Sequence, residues 1–244
     1  MIKRRIKHAL ERLTGLSINP TLTRGANLLY DLDYYLPTHP FKTLFDVGGN
    51  IGQTAVPLAK RFPDAAIHSF EPVSHAFKQL SDAVARFPNV TCHNIALGAS
   101  AGEATIVVDA FSSRSTIRAQ PAADETQHTE TIRIDTLEAI AQSLNTTQID
   151  LLKIDTEGCD LDVLKGGQTL LSEQRVCMIE VECAMNPENT LHVPWQSFTE
   201  YLQPLGYRLF GIYEQKHEWP AHKPNLRRAN LAFMSGSMID RYFC

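Results

Sequence analysis

Short apolar runs alternate with longer stretches of helical spacing along the chain from residue 41 onward. Apolar or alternating runs predict strands at residues 41–47, 66–71, 90–97, 103–109, 129–134, 149–154, 176–181, 207–212 and 229–234. Apolar positions at helical spacing predict helices at residues 51–62, 74–87, 136–145, 161–171 and 195–205. Strands joined through helices form a mostly parallel sheet with right-handed crossovers. The pattern therefore predicts one α/β domain.

One region departs from this alternation of strands and helices. Residues 103–109 and 129–134 both alternate with period two, and we expect them to pair as a hairpin. The segment between them, residues 110–128, is rich in Ser, Thr, Ala and Gln and is predicted to be a long loop. Loops of this length in compact domains are usually functional or disordered.

The amino-terminal part of the chain has a different character. Residues 1–40 are predicted to form a helical extension ahead of a domain at residues 41–244, with Pro37 and Pro40 at the boundary. Residues 2–13 combine lysines and arginines with an apolar stripe. We favour a helix that packs this stripe on the domain, and a membrane-surface helix is the alternative. The extension could also supply an interface for a homo-oligomer.

Composition and charge narrow the class of protein. Hydrophobic residues make up 43% and charged residues 20% of the 244 positions, which is ordinary globular usage. The net charge of −4 argues against unaided nucleic-acid binding, and no apolar run approaches the roughly 18 residues of a membrane-spanning helix. Five cysteines without CxxC spacing favour free thiols in a reducing cytoplasm over a zinc site.

The most informative motif is a glycine-rich turn between the first predicted strand and helix. Asp46, Gly48 and Gly52 have the spacing Asp-x-Gly-x-x-x-Gly, which differs from the Gly-x-Gly-x-x-Gly of dinucleotide-binding folds. Glycine lets the backbone approach a ligand closely, and Asp46 at the strand tip suits a cationic group. We therefore favour S-adenosylmethionine over NAD; a tight turn with incidental glycines is the alternative.

A carboxylate follows the second predicted strand. Glu71 comes 19 residues after Gly52, where a doubly wound fold holds the ribose hydroxyls of a nucleotide, and Pro72 indicates a defined turn. Asn94 and Ala96 follow at the end of the third predicted strand, where an adenine edge would lie. A turn-capping role for Asn94 remains nearly as good an interpretation.

Further acids interrupt or end two apolar strands. Asp155 and Glu157 follow the apolar run at 149–154, at the edge where open α/β sheets bind ligands. Glu180 lies within the run at 176–181, where an acid is unfavourable unless it is used. These carboxylates could act as a base, hold a cationic cofactor or bind a divalent ion. Nothing in the spacing demands a metal, so we predict none.

Together these motifs resemble the FkbM-type S-adenosylmethionine-dependent O-methyltransferases. The resemblance covers residues 41–234. Its pieces are DVGGNIG at 46–52, FEP at 70–72, NIALG at 94–98, SSRSTI at 112–117, LLKIDTEG at 151–158, LDVLKGG at 161–167, GYRLF at 206–210 and NLAF at 230–233. The resemblance implies a class I methyltransferase fold, which is a doubly wound, Rossmann-like, mostly parallel sheet of seven strands.

The resemblance also implies roles for individual residues. Asp46 and the glycines would cradle the methionine part of S-adenosyl-L-methionine, Glu71 would bind its ribose, and Asp155 would lie near the reacting centre. The full predicted cofactor site comprises Asp46, Gly48, Gly49, Asn50, Gly52, Gln53, Glu71, Pro72, Asn94, Ala96 and Asp155. Relatives often have His where this chain has Glu182, so the acceptor pocket is expected to be more acidic. Arg114 and Arg118 in the long loop could clamp an anionic acceptor.

The expected activity is methyl transfer to a hydroxyl of a small molecule or glycan, with a sugar-containing metabolite favoured. The predicted catalytic residues are Asp155, Glu157 and Glu180, because a carboxylate can accept the hydroxyl proton. His75 and His192 are weaker candidates for that role. A nucleic-acid methyltransferase and a non-catalytic scaffold on the same fold are the alternatives.

Overall fold

A computed structural model describes residues 23–108, 128–218 and 223–243. The chain divides into two compact units, Met1–Pro37 and Thr38–Cys244. In the first unit, helix α1 spans Leu28–Tyr35, and the Asn27 side chain caps it by accepting a hydrogen bond from the Tyr30 backbone amide. The basic amphipathic stretch at residues 2–13 lies outside the described residues.

The described part of the second unit contains ten strands. They are β1 Thr43–Val47, β2 Ala66–Phe70, β3 Val90–His93, β4 Ala96–Leu97, β5 Gly102–Val108, β6 His128–Asp135, β7 Ile149–Ile154, β8 Val176–Ala184, β9 Tyr207–His217 and β10 Leu226–Ser235. Seven of them form one sheet in the order β3-β2-β1-β7-β8-β10-β9. Strand β10 pairs antiparallel with both neighbours, and every other pairing in this sheet is parallel. The predicted α/β class with a mostly parallel seven-stranded sheet is confirmed.

The other three strands form a small second sheet in the order β4-β6-β5. Strands β5 and β6 pair antiparallel, as predicted. The single strand predicted at residues 90–97 is wrong, because β3 ends at His93 and β4 pairs with β6 instead. Residues 110–127 of the predicted loop, with Arg114 and Arg118, lie outside the described residues.

Seven helices accompany the strands within the described part of this unit. They are α2 Ala55–Arg61, α3 Ser74–Val84, α4 Leu137–Ser143, α5 Asp160–Lys165, α6 Gln168–Ser172, α7 Trp195–Leu202 and α8 Gly236–Phe243. A short 3₁₀ turn at Gln203–Leu205 extends α7. None of the described helices is long and apolar enough to cross a membrane.

The helix predicted at residues 161–171 is in fact two helices, broken at Gly166 and Gly167. A Cβ atom on Gly166 would lie 2.1 Å from the carbonyl oxygen of Gly98, and one on Gly167 would lie 2.6 Å from the Leu137 side chain. The break therefore lets this segment pack closely against two distant parts of the chain. Helix α8 has no counterpart among the sequence predictions.

The centre of the large sheet is covered on both faces. Every residue of β7 and of β8 is buried, including the charged side chains of Lys153, Glu180 and Glu182. Because neighbouring strands β1, β2, β7 and β8 are parallel, their carboxyl ends lie at one edge of the sheet. The glycine turn and the acidic residues of the sequence prediction are at or near this edge.

Candidate active site

The glycine turn begins directly after β1. The backbone amides of Gly48 and Gly49 both donate to the carbonyl oxygen of Phe70, at 2.9 Å each. Gly48 has a φ of +86°, and a Cβ atom there would lie 1.9 Å from the Asp155 carbonyl oxygen. A Cβ atom on Gly49 would lie 2.2 Å from the Ser69 hydroxyl oxygen. Glycine at both positions is therefore what allows β1, β2 and the loop after β7 to meet.

Asp46 is buried one residue before the end of β1. One of its carboxylate oxygens accepts a hydrogen bond of 2.7 Å from the Ser69 hydroxyl. Burial raises the pKa of Asp46 to about 6, and the Ser69 hydrogen bond and the charge of Lys153 partly oppose that effect. The carboxylate is therefore costly in its ionised form and would be stabilised by a nearby cationic ligand.

Glu71 is tied to the glycine turn. Its two carboxylate oxygens accept backbone hydrogen bonds of 2.9 Å, one from Asn50 and one from Val73. Burial raises the pKa of Glu71, and these two hydrogen bonds partly offset the effect. The glycine turn and this carboxylate are thus in direct contact. Gln53 is exposed, just beyond the turn.

The Asn94 side chain has a structural role in this part of the site. Its amide nitrogen donates to the carbonyl oxygens of Glu71 and Pro72, at 2.9 and 2.8 Å. These two hydrogen bonds are what the turn-capping role, the alternative interpretation of Asn94 from the sequence, would produce. Ala96 lies two residues further, buried in β4.

A row of polar residues crosses the buried face of the large sheet. Asp46 is in register with Ser69 on one side and with Lys153 on the other, and Lys153 is in register with Glu180. Residues in register on neighbouring parallel strands face the same side. The row therefore brings together two acids that the sequence analysis proposed separately.

Lys153 was missed by the sequence analysis as a site residue, although it lies within the motif LLKIDTEG. Its ammonium donates to Asp155 Oδ2 at 3.2 Å. Burial alone would lower the pKa of Lys153, but the charges of Asp155, Glu180 and Asp46 outweigh burial and raise it. The available signal was a charged residue in a mostly apolar strand, a feature that Asp150 of the same strand shares.

Glu180 lies next to Lys153 on β8. Asn230 of β10 donates to Glu180 Oε1 at 3.3 Å. Burial raises the pKa of Glu180, and Lys153 and Asn230 partly offset the effect. Asn230 is a second contributor that the sequence analysis missed.

The loop after β7 carries Asp155 and Glu157. The Asp155 side chain is 38% exposed, in contrast to the buried row behind it. Glu157 has a φ of 53°, which is uncommon for a residue with a side chain. Asp160, at the start of α5, holds the loop by accepting hydrogen bonds from Thr156 and Gly158. Asp160 therefore ties the loop after β7 to the start of α5.

A second cluster lies beside this loop. Nε2 of His192 is 2.6 Å from Glu182 Oε2 and 3.6 Å from Glu157 Oε2, and Arg228 pairs with the other oxygen of Glu182. His192, a candidate proton acceptor from the sequence, is buried. His75, the other candidate histidine, is exposed on α3.

The acids thus fall into two groups that the sequence could not separate. Asp155 contacts Lys153, and Asp46 and Glu180 are close enough to raise the pKa of Lys153. Glu157 instead lies with Glu182 and His192. A divalent site formed by Asp155, Glu157 and Glu180, which was the alternative considered from sequence, is not the cluster that the structure assembles.

The first group fits the chemistry of S-adenosylmethionine. The close backbone approach at Gly48 and Gly49 leaves no room for side chains in the turn. Buried Asp46 and partly exposed Asp155 supply negative charge to a ligand that carries an ammonium and a sulfonium group. Glu71 supplies hydrogen-bond acceptors on the far side of the turn.

Comparison with known proteins agrees with this assignment. A model of the methyltransferase FkbM domain matches residues 46–209. The chain is 24% identical over 147 residues to the hexuronic acid methyltransferase AglP of Haloferax volcanii, covering 60% of this chain and 58% of the relative. It is 27% identical over 142 residues to methyltransferase 1 of Beauveria bassiana, covering 50% and 57%. The chain thus spans under three fifths of the length of these relatives.

Among solved structures, the chain resembles the METTL16 methyltransferase domain with a TM-score of 0.50 and 12% identity. The match covers 96% of this chain and 79% of that one. At that identity the likeness shows the fold alone. The family match is more informative, because residues 46–209 include the glycine turn, Glu71, Lys153 and the loop after β7. The family predicted from sequence is confirmed: the chain belongs to the methyltransferase FkbM domain family.

Proposed function

We propose that this chain methylates a hydroxyl group of a small molecule or glycan, with a sugar-containing acceptor favoured. Family membership supports methyl transfer. The relative named as a hexuronic acid methyltransferase supports a sugar as acceptor. The negative net charge of −4 favours such an acceptor over nucleic acid.

We assign the cofactor to the glycine turn and the strand ends around it. Asp46 and Asp155 face the cationic end, Gly48, Gly49, Asn50, Gly52 and Gln53 form the turn, and Glu71 binds the ribose. Pro72, Asn94 and Ala96 complete the adenine end, where the side-chain amide of Asn94 is already engaged in capping. The cofactor supplies the methyl group that is transferred.

The exposure of its side chain is the observation that supports Asp155 as the proton acceptor. A base must reach the acceptor hydroxyl, and the side chain of Asp155 is 38% exposed, against 23% for Glu157. Glu180 is buried, beside Lys153. We therefore assign proton acceptance to Asp155, and Lys153 and Glu180 fix its position. Glu157, on the same loop, lies on the side of the site where the acceptor binds. A base of this kind contributes about 10²–10⁴-fold to rate.

We also place the protein in the cytoplasm. Cys92, Cys159, Cys177 and Cys183, the cysteines within the described ranges, are free. Free thiols are usual in a reducing compartment.

The decisive experiment measures methyl transfer from radiolabelled S-adenosylmethionine to a panel of acceptors. The panel contains sugar nucleotides, uronic-acid glycans, transfer RNA and single-stranded DNA. We expect labelled sugar products, and labelling confined to nucleic acid would contradict the proposal. Calorimetry with S-adenosylhomocysteine, run in parallel, separates a missing acceptor from a failure to bind the cofactor.

The matched variants are Asp155→Asn and Glu200→Gln, each of which removes one carboxylate charge. Glu200 is exposed on α7 and outside the site. Asp155→Asn should lower kcat by about 10²-fold or more, whereas Glu200→Gln should retain it. Unchanged turnover in Asp155→Asn would refute the assigned base.

A further inference from the structure

Three side chains from separate segments converge beside the proposed acceptor region. Glu157 comes from the loop after β7, Glu182 from β8, and His192 from the segment between β8 and α7. One ligand atom from each lies within 4.8 Å of the other two. Gly158 lets the two loops meet, because a Cβ atom there would lie 2.5 Å from the Leu191 carbonyl oxygen.

The orientation of His192 is fixed by Asn189. The Asn189 amide nitrogen donates to the Arg227 carbonyl oxygen at 3.1 Å, and its Oδ1 accepts from the Leu191 amide at 3.2 Å. Both side-chain atoms of Asn189 lie near His192 Nδ1, the nitrogen at 3.0 Å and Oδ1 at 3.1 Å, so Nδ1 can donate to Oδ1 when Nε2 serves as a ligand. In that tautomer the Nε2 lone pair points at the two carboxylates.

Two carboxylate oxygens and a nitrogen lone pair repel one another unless a proton or a metal cation lies between them. Glu157 Oε2 is a buried oxygen without a hydrogen-bond partner. Glu182 turns Oε1 to Arg228 and Oε2 to His192. Arg228 balances one of the two carboxylates, and Glu157 Oε2 is the one of the three inward-facing atoms that has no hydrogen-bond partner.

We propose that Glu157, Glu182 and His192 bind a divalent transition-metal ion, with Mn²⁺ as the representative. Mixed carboxylate and imidazole ligands suit such an ion, whereas Ca²⁺ and Mg²⁺ prefer oxygen ligands throughout. A histidine ligand whose other nitrogen is held by a hydrogen bond, as Asn189 holds His192, is the usual arrangement at metal centres. Three protein ligands leave coordination positions for water or for an oxygen of a bound acceptor.

The other convergent cluster in the described structure shows the contrast. His39, Asp150 and Cys177 also lie close together, but both oxygens of Asp150 already accept hydrogen bonds. That cluster is complete without an ion. The Glu157 cluster is not, because one of its oxygens has no donor.

The test is calorimetric and electron-paramagnetic-resonance titration of the full chain with Mn²⁺, after removal of metals with chelator. The variant is Glu157→Gln, chosen because the Glu157 side chain is partly exposed and should be replaceable without unfolding. Glu200→Gln is the matched control. We expect wild type and control to bind one Mn²⁺ with a Kd below about 1 mM, and Glu157→Gln to bind at least about tenfold more weakly.

A wild-type Kd above that limit, or a smaller loss in Glu157→Gln, would overturn the proposal. Displacement of Mn²⁺ by equimolar Ca²⁺ would overturn the role of His192 as a ligand. The titration needs neither cofactor nor acceptor. Its failure would therefore leave methyl transfer untouched, and S-adenosylhomocysteine binding in the presence of chelator tests that activity separately.

Discussion

The ammonium of Lys153 lies 3.2 Å from a carboxylate oxygen of Asp155, and this contact joins the buried sheet to its exposed edge. The Lys153 side chain is 6% exposed, whereas that of Asp155 is 38% exposed. Behind the contact, Asp46 and Glu180 flank Lys153 in register. One buried cation therefore balances acids that belong to three different strands or their ends.

Replacing Lys153 with methionine should destabilise the protein strongly. The side chains are of similar length, but the change leaves Asp46 and Glu180 buried without their cation. Removing one partner of a buried ion pair costs about 3–5 kcal/mol, and we expect a loss of that size in the free energy of unfolding. Urea denaturation at pH 7 measures it.

Lys165→Met is the control for this change. Lys165 also pairs with an aspartate, Asp162, but both side chains are about half exposed. Such surface pairs contribute at most about 1 kcal/mol. Similar losses of stability in the two variants would show that Lys153 stabilises the fold no more than an exposed lysine does.

The second prediction concerns Asp46 and pH. Its pKa is raised from 3.8 to about 6 in the folded chain, mainly by burial. The folded state therefore holds the proton more tightly than the unfolded state does. The resulting stability is fully present below about pH 4 and is lost as pH rises through about 6, a loss of about 3 kcal/mol.

Asp46→Asn should remove this dependence. Between pH 4 and pH 7, the free energy of unfolding of wild type should fall by about 2 kcal/mol relative to the variant. Denaturant titrations at several pH values measure the difference. Asp82→Asn, at an exposed position of α3, should track wild type. If Asp46→Asn tracked wild type as well, Asp46 would have an ordinary pKa.

The third prediction concerns the glycine turn. Gly48→Ala places a Cβ atom against the Asp155 carbonyl oxygen at a φ of +86°, so the loop after β7 must move. A positive φ alone costs a residue with a side chain about 1–2 kcal/mol, and the clash adds to that. We expect a loss of more than 2 kcal/mol in stability, together with loss of S-adenosylhomocysteine binding by calorimetry.

Gly102→Ala is the comparison for the turn variant. A Cβ atom at Gly102 would have nothing within 4 Å. Its effect on stability should stay within about 0.5 kcal/mol, and cofactor binding should be unchanged. If Gly48→Ala still bound the cofactor, the glycine turn would not be part of the cofactor site.

The fourth prediction concerns the opposite end of the central strands. Asp150 Oδ2 accepts from the backbone amides of Lys42 and Thr43, at 2.7 and 2.9 Å, and Oδ1 lies 3.1 Å from His39 Nε2. Burial alone would raise the pKa of Asp150, but these hydrogen bonds outweigh burial and lower it. Its ionised form therefore stabilises the fold above about pH 4, and this contribution disappears as pH falls through the lowered pKa.

Asp150→Asn should lose roughly 2 kcal/mol or more at pH 7, because amide donors are left unsatisfied. The difference in stability between variant and wild type should become smaller at low pH. Thermal unfolding between pH 3 and pH 7 measures this trend, with Asp82→Asn again as the control. A gap that widened in acid would contradict the lowered pKa of Asp150.

Most of the large sheet could be predicted from local pattern. The mostly apolar run at residues 149–154 is β7 to the residue, because a strand covered on both faces is rich in apolar side chains, here interrupted by Asp150 and Lys153. The break at Gly166 and Gly167 could not be predicted in this way. It depends on packing against Gly98 and Leu137, which are distant in sequence.

The candidate site, too, could be predicted only in part from local sequence. The motifs identified Asp46, Glu71 and Asp155 because each follows or ends a predicted strand. The importance of Lys153 depends on strand order and register, which place it between Asp46 and Glu180. The partnership of Glu157 with His192 depends on two loops that meet at Gly158. Neither arrangement has a signature in local sequence.

The order of strands also sets the order of assembly. Strand β9 lies at the edge of the large sheet and pairs there with β10, which follows it in the chain. During synthesis β9 therefore leaves the ribosome before its partner exists, and it can join the sheet only when β10 follows. Asn230, the hydrogen-bond donor to Glu180, arrives on that same strand. The hydrogen bond from Asn230 to Glu180 can therefore form only after β10 has been synthesised, when the glycine turn is already part of the chain.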